Sequence, residues 1–190
     1  MGHIRQLSEN LANKIAAGEV VERPASVIKE LTENSIDAQA KSITILVEQG
    51  GTSKMCVIDD GIGMNRADAL LCFSRHATSK IVDENDLFNI TTLGFRGEAI
   101  PSIASISVFT LETNNGEENT KVEYEFGKRK NVSSATMNRG TKITVERIFQ
   151  NVPARLKYMK SINAEFAAIY SYVERLALAH PEISFTLIHD

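Results

Sequence analysis

The sequence predicts a two-layer α+β sandwich with a mixed, largely antiparallel sheet. Three patterns support this fold class: amphipathic helices near both ends of the chain, an early hairpin, and a later meander of short strands. Strands and helices do not alternate strictly, which disfavours a Rossmann or P-loop architecture. The chain has 190 residues, 43% of them hydrophobic and 24% charged, and can bury one core. We therefore expect one domain over residues 1–190.

Helices are predicted where apolar residues recur one turn apart between recognisable end signals. Pro24 needs no donor at a first helical position, and it opens a pattern in which Val27, Ile28 and Leu31 share an apolar stripe. Asn65 is expected to cap a short helix. The predicted helices cover 8–17 with Gly18 as C-cap, 24–38, 66–73, 98–105, and a last helix that Asn163 caps and that ends before Pro181.

Strands are predicted where apolar residues alternate with polar ones. Residues 42–59 form a hairpin around Gly50 and Gly51, and the other predicted strands are 108–111, 120–126, 141–148 and a last one from 183 onward. Residues 74–97 are polar, rich in threonine, punctuated by glycine and without clear periodicity. This composition indicates a long functional loop.

The overall composition argues against several function classes. A formal net charge of -3 disfavours a surface built chiefly to hold nucleic acid, which needs massed Lys and Arg. Cys56 and Cys72 form neither a disulfide framework nor a zinc motif, as expected of a protein in the reducing cytoplasm. No apolar run approaches the length of a membrane span, so we expect no membrane partner.

Three polar residues of the second predicted helix face one way. Glu30, Asn34 and Asp37 are spaced i, i+4 and i+7, which places them within about 60° of one another at roughly 100° per residue. A carboxylate at Glu30 can take a proton from an attacking water, and the amide oxygen of Asn34 can bind Mg²⁺. A solvated flank beside an apolar stripe has the same pattern, so helix geometry leaves both interpretations open.

A short acidic turn follows the predicted hairpin. Asp59 ends a strand just before Gly61 and Gly63; its carboxylate matches the amino group of adenine, and glycine allows a close approach to a base. An ordinary Asp-Gly turn is the alternative. No GxxxxGK[ST] motif occurs, and Arg66 replaces the third glycine of a dinucleotide fingerprint. A nucleotide would therefore bind in another way.

The segment Gly94–Ala99 carries a glycine-rich loop into the start of a helix, where unpaired N–H groups and the helix dipole favour an anion. Alone, this pattern is usually only a helix cap. Residues 75–80 add hydroxyl and cationic donors upstream. Together the two stretches indicate a lid over residues 74–97 that closes over phosphates.

In this order, the four elements resemble the nucleotide-binding motifs of the GHKL ATPases, which include DNA gyrase, large heat-shock chaperones, histidine kinases and MutL. Within that superfamily, the chain resembles the MutL family of DNA mismatch-repair proteins over nearly its whole length. The stretches that carry this second resemblance are Ala12–Ser26, Arg75–Lys80, Gly94–Ala99 and Asn151–Arg155.

The resemblance implies the Bergerat form of the α+β sandwich, ATP and Mg²⁺ as cofactors, and a role for each motif. Glu30 would be the general base, Asn34 the Mg²⁺ ligand, and Asp59 the adenine reader. Thr141 would belong to a Gly-Thr motif on the strand behind adenine. The other implied nucleotide contacts are Asp37, Ala38, Gly61, Gly63, Met64, Thr78, Ser79, Lys80, Leu93, Gly94, Phe95, Arg96, Gly97 and Glu98.

The chain departs from the family pattern at three positions. Gln39 stands where glycine is usual in an Asp-Ala-Gly motif, Asp60 where asparagine is common, and Gln150 where an aromatic residue is usual. Gln39 bears most on the cleft, because it follows the polar stripe of the helix directly.

The resemblance also implies partners. ATP binding would join a second copy of the chain, and the full-length protein would contact a mismatch-recognition protein and DNA in the bacterial cytoplasm. A second ATPase subdomain that donates a lysine to the γ-phosphate, and a C-terminal dimerisation region, are expected beyond residue 190, so hydrolysis by residues 1–190 should be weak. A nucleotide-gated interaction module with negligible hydrolysis is the alternative. Histidine-kinase-like phosphotransfer is disfavoured, because those domains resemble this one without a base at Glu30.

Overall fold

The structure, a computed structural model, describes residues 15, 17, 18, 21–75, 77 and 97–190. A 3-10 turn over Gln49–Gly51 joins the first two strands. In chain order, the helices and strands are α1 (Pro24–Asp37), β1 (Ser42–Glu48), β2 (Lys54–Asp59), α2 (Arg66–Leu71), α3 (Ala99–Ser105), β3 (Val108–Asn114), β4 (Asn119–Glu125), β5 (Lys128–Ser133), β6 (Gly140–Glu146), α4 (Pro153–Leu156), α5 (Ile162–Ala179) and β7 (Ser184–His189).

The seven strands within these ranges form one sheet in the order β5-β4-β3-β6-β2-β1-β7. The pair β1–β7 is parallel, and every other neighbouring pair is antiparallel. The prediction of a mixed, largely antiparallel sheet is therefore confirmed. The meander places β6 between β3 and β2, so residues more than 80 positions apart in the chain become direct neighbours.

One hydrophobic core joins the helices to one face of the sheet. Val27, Ile28 and Leu31 of α1 are at most 1% exposed and belong to the same buried cluster as alternate residues of β1, beginning with Ile43 and Ile45. Alternation of buried and partly exposed residues along the strands marks the two faces of the sheet. This is the two-layer sandwich that the sequence predicted.

The ends of the helices follow local signals, with one correction. Pro24 opens α1, and the side chain of Asn65 accepts a hydrogen bond from the backbone N–H of Asp68 at 2.8 Å, as expected for a cap. The prediction that Asn163 caps the last helix was wrong: the hydroxyl of Ser161 accepts from the N–H of Ala164 at 3.3 Å. Asn163 is already inside the helix.

Two further differences concern elements of weak pattern. Strand β5, which the sequence analysis missed, begins with four exposed, mostly charged residues and pairs only with β4, so packing did not impose an alternating pattern on it. Gly18 is itself helical and not a left-handed C-cap. The rest of the first predicted helix, and residues 76 and 78–96 of the predicted loop, lie outside the described residues.

Among the described helices, none combines the length and the apolar character needed to cross a membrane.

Candidate functional site

Four buried polar side chains lie in a row across one end of the sheet. Strand register pairs Asp59 with Thr141, Thr141 with Thr113, and Thr113 with Thr120. Asp59 and Thr141 are each 8% exposed, whereas Thr113 and Thr120 are sealed at 0% and 1%. Polar groups buried in this way need hydrogen-bond partners, which makes the row informative about function.

Asp59 is the charged member of this row. Its Oδ2 accepts from the Ser35 hydroxyl of α1 at 2.7 Å, and its Oδ1 accepts from the N–H groups of Gly61 at 2.9 Å and Thr141 at 3.2 Å. Burial nevertheless raises the pKa of Asp59 above its ordinary value, outweighing these three bonds, which lower it. An ionised carboxylate so poorly solvated gains from a further N–H donor, such as an exocyclic amino group.

The two glycines after Asp59 are required by close backbone contacts. A Cβ on Gly61 would lie 2.7 Å from the carbonyl oxygen of Ala38, to which the next residue, Ile62, donates its N–H at 3.0 Å. Gly63 has φ 68°, and a Cβ there would overlap the carbonyl group of Asn114. The turn is therefore clamped between the end of α1 and the end of β3.

These contacts bring the polar stripe of α1 to the same end of the sheet. Ser35 bonds Asp59 directly, and Ala38 contacts the glycine turn, so Asn34 and Asp37 lie beside the adenine-reading candidate. Glu30 is two helical turns further back, about 10 Å along the axis at 1.5 Å per residue. Glu30, Asn34 and Asp37 are all partly exposed. A ligand that reaches from Asp59 along α1 would therefore contact all three.

The sequence analysis missed a polar contact next to Glu30. The hydroxyl of Tyr172 on α5 donates to Oε1 of Glu33 at 2.8 Å, and the Nζ of Lys29 lies 4.0 Å from the same oxygen. Burial, then the Glu33 hydrogen bond and the negative charges of Glu33 and Glu30, raise the pKa of Tyr172 far above its ordinary value. No local pattern could have revealed this pair, because its members are 139 positions apart.

The two described ends of the predicted lid meet each other. Gly97 has φ 61°, and a Cβ on it would overlap the carbonyl group of Ala77. Glu98 directly precedes α3, as the glycine-loop prediction requires. The other residues predicted there, Thr78, Ser79, Lys80, Leu93, Gly94, Phe95 and Arg96, lie outside the described residues.

A second contact joins two of the stretches that resemble MutL. Arg155 donates from Nη1 to the carbonyl of Val21 at 3.1 Å and from Nη2 to the carbonyl of Gly18 at 2.9 Å. Its guanidinium also lies 5.9 Å from the centre of the Phe149 ring. The Asn151–Arg155 stretch thus holds the segment that leads into α1.

Two departures from the family pattern have a local explanation. Gln39 has φ 62°, a left-handed conformation in which glycine is free of strain, and this accounts for the usual glycine. Asp60 accepts through Oδ1 from the N–H groups of Lys41 at 2.7 Å and Ser42 at 2.9 Å. The amide oxygen of an asparagine can accept the same two bonds. Gln150 is exposed, and nothing in the structure explains its choice.

The family model described as histidine kinase-, DNA gyrase B- and HSP90-like ATPase matches residues 22–158. The chain belongs to this ATPase family. The match includes α1, the glycine turn, the described ends of the lid and β6, which are the elements that carry every described candidate residue.

Relatives and solved structures narrow the family. DNA mismatch repair protein MutL of Geobacillus sp. (strain WCH70) is 56% identical over the whole chain, and that of Lactococcus lactis subsp. cremoris (strain SK11) is 55% identical. The chain spans only 31% and 29% of their respective lengths. The Aquifex aeolicus MutL ATPase domain complexed with ADP aligns with a TM-score of 0.69 and 28% identity, covering 90% of this chain and 61% of that one.

A crystal structure of the N-terminal domain of a DNA repair protein aligns with a TM-score of 0.80 and 26% identity, over 94% of this chain and 52% of that one. The resemblance to the MutL family and the ATPase sandwich, both inferred from motifs, are confirmed by these comparisons.

Proposed function

We propose that this chain is the ATP-binding and ATP-hydrolysing domain of a MutL-type DNA mismatch-repair protein. The observation that carries the proposal is the position of Asp59, a buried carboxylate at the end of a strand, at one end of the polar stripe of α1. A base at Asp59 and phosphates along the stripe fit one nucleotide. The relative from Aquifex aeolicus, complexed with ADP, supports this choice of ligand.

In this proposal, each polar residue acts on a different part of the nucleotide. Asp59 accepts a hydrogen bond from the adenine amino group, and Glu30 takes a proton from the water that attacks the γ-phosphate. Asn34 offers an amide oxygen, a ligand type that suits Mg²⁺ held mainly by phosphates and waters. Bound Mg²⁺ would neutralise charge on the β- and γ-phosphate oxygens.

Variants of α1 test these roles. Glu30→Ala should retain ATP affinity and lose turnover, whereas Asn34→Ala should lose the part of ATP binding that depends on Mg²⁺. Glu174→Ala, which removes an exposed glutamate of α5, is the matched control and should change neither quantity. Steady-state phosphate release and calorimetric binding measure both. Unchanged turnover in Glu30→Ala would remove the general base from the proposal.

A nucleotide-gated module that binds ATP without hydrolysing it remains the rival function. Single-turnover hydrolysis, with the chain in excess over radiolabelled ATP, separates the two. We expect slow hydrolysis that vanishes in Glu30→Ala. Tight binding without any Glu30-dependent hydrolysis would favour the rival.

We further propose that residues 74–97 form a lid that closes on ATP and promotes association with a second copy. Their polar, glycine-punctuated sequence and the contact between Ala77 and Gly97 at the base of the segment support this role. A non-hydrolysable ATP analogue should slow limited proteolysis within 74–97 and shift the sedimentation of the chain toward a dimer. Equal cleavage with and without the analogue would contradict the lid.

The length of the relatives supports a proposal about turnover. Because the chain covers 61% of the Aquifex aeolicus ATPase domain, we propose that a following subdomain supplies a lysine to the γ-phosphate. Loss of one preorganised donor typically lowers turnover by about 10²–10³-fold. A longer version of the chain should therefore hydrolyse ATP faster by that factor with similar affinity. Binding to DNA and to a mismatch-recognition protein would belong to the full-length protein.

A further inference from the structure

Thr113 of β3 is buried behind the proposed adenine site and joins two of its parts. Its Oγ1 accepts from the N–H of Met64 in the glycine turn at 2.9 Å, and it lies 3.1 Å from the carbonyl oxygen of Gly140 and 3.2 Å from Oγ1 of Thr141. Thr113 is 0% exposed, so it cannot itself touch a nucleotide.

The three contacts determine where the hydroxyl protons point. A threonine hydroxyl has one proton to donate and two lone pairs to accept with. The carbonyl of Gly140 can only accept, and the N–H of Met64 can only donate. All three contacts are hydrogen bonds only if Thr113 donates to Gly140 and accepts from both Met64 and the hydroxyl of Thr141. Any other assignment leaves one contact without a proton.

This assignment settles the polarity of Thr141. Because its proton points back to Thr113, its oxygen offers only lone pairs toward the cleft, next to the carboxylate of Asp59. Asp59 and Thr141 are equally exposed, at 8% each. A base edge that donates, such as the 6-amino group of adenine, meets two acceptors there. A base edge with a carbonyl oxygen at position 6 meets lone pairs and is disfavoured.

We propose that Thr113 is a positioning residue that sets base specificity by orienting the hydroxyl proton of Thr141 and by holding Met64 of the glycine turn. The proposal rests on the proposed function, since it assumes that adenine binds beside Asp59. It adds a residue that no contact with the ligand would reveal.

The test compares ATP with inosine triphosphate, which carries a carbonyl oxygen in place of the 6-amino group. The ratio of their dissociation constants is measured by calorimetry in the unmodified chain, Thr113→Val and Thr113→Ser. Thr113→Val should reduce the preference for ATP about tenfold, equivalent to about 1.4 kcal/mol. Thr113→Ser keeps the hydroxyl and should keep the preference. The matched control, Thr120→Val, changes the next buried threonine of the row and should also keep it.

Thr141 provides a second, independent arm. If Thr113 acts through the Thr141 hydroxyl, then adding Thr113→Val to Thr141→Val should not change the ATP preference further, whereas independent effects would add. Thermal melting shows which variants fold, and Thr113→Ala takes the place of Thr113→Val if the latter does not. Loss of preference in Thr120→Val, or an unchanged preference in a folded variant without the Thr113 hydroxyl, would overturn the inference. Failure of the unmodified chain to bind ATP would overturn the proposed function itself.

Discussion

Replacing Asp59 by asparagine should weaken ATP binding while leaving the fold intact. In Asp59→Asn the amide oxygen can still accept from the N–H groups of Gly61 and Thr141, and the Ser35 hydroxyl can accept from the new amide while it donates to the carbonyl of Leu31, 3.1 Å away. The surroundings therefore tolerate the change. Toward the cleft, however, an N–H donor now faces the adenine amino group.

The expected loss follows from the charge of the bond. A hydrogen bond to a charged group contributes about 1.5–3 kcal/mol, so affinity for ATP should fall by about tenfold to a hundredfold. Calorimetric titration with ATP measures this loss. Asp60→Asn is the matched control: Asp60 is exposed, and asparagine can keep its two bonds from Lys41 and Ser42. Equal affinity in the two variants would refute the assignment of Asp59 as the adenine reader.

The raised pKa of Asp59 adds a pH dependence with a defined sign. In the fold Asp59 holds its proton more tightly than at its ordinary pKa of 3.8, so its contribution to stability is complete below that value and is lost as pH rises through the raised pKa. Asp59→Asn should therefore gain stability relative to the parent as pH rises from about 4 toward neutrality. Urea unfolding across this range measures the difference. A constant difference would mean that Asp59 does not titrate in this window.

Three further changes test the fold. Arg23→Met leaves the carboxylate of Glu165 without the guanidinium that lies 2.9 Å away, and because that carboxylate is only 2% exposed, urea unfolding should show a loss of about 3 kcal/mol. Glu165→Gln should cost less, since Arg23 is 31% exposed and can reach water. Gln39→Gly should raise the unfolding free energy by about 0.5–1 kcal/mol, the left-handed strain removed minus the extra entropy of glycine; a lower melting temperature would contradict this. Ser161→Ala should cost about 1 kcal/mol and Asn163→Ala almost nothing; the reverse order would restore Asn163 as the cap.

Local signals explain which elements the sequence predicted well. The apolar stripe of α1, the hairpin of β1 and β2, and the Asn65 cap all depend on neighbours within a few residues. Where two nearby residues offered the same local chemistry, prediction failed: Ser161 and Asn163 are both good caps, and only the path of the chain selects the first. Strand β5 was missed because an exposed edge strand need not alternate.

The sequence by itself determined the fold class, the ATPase family and the candidate residues Glu30, Asn34 and Asp59, because these depend on motifs and on helical spacing. Only the tertiary structure decided what surrounds them. The donors to Asp59 come from Ser35 and Thr141, 24 and 82 positions away, and they meet because β6 inserts beside β2. A hydrogen bond across a sheet depends on strand order and register, which local periodicity does not contain.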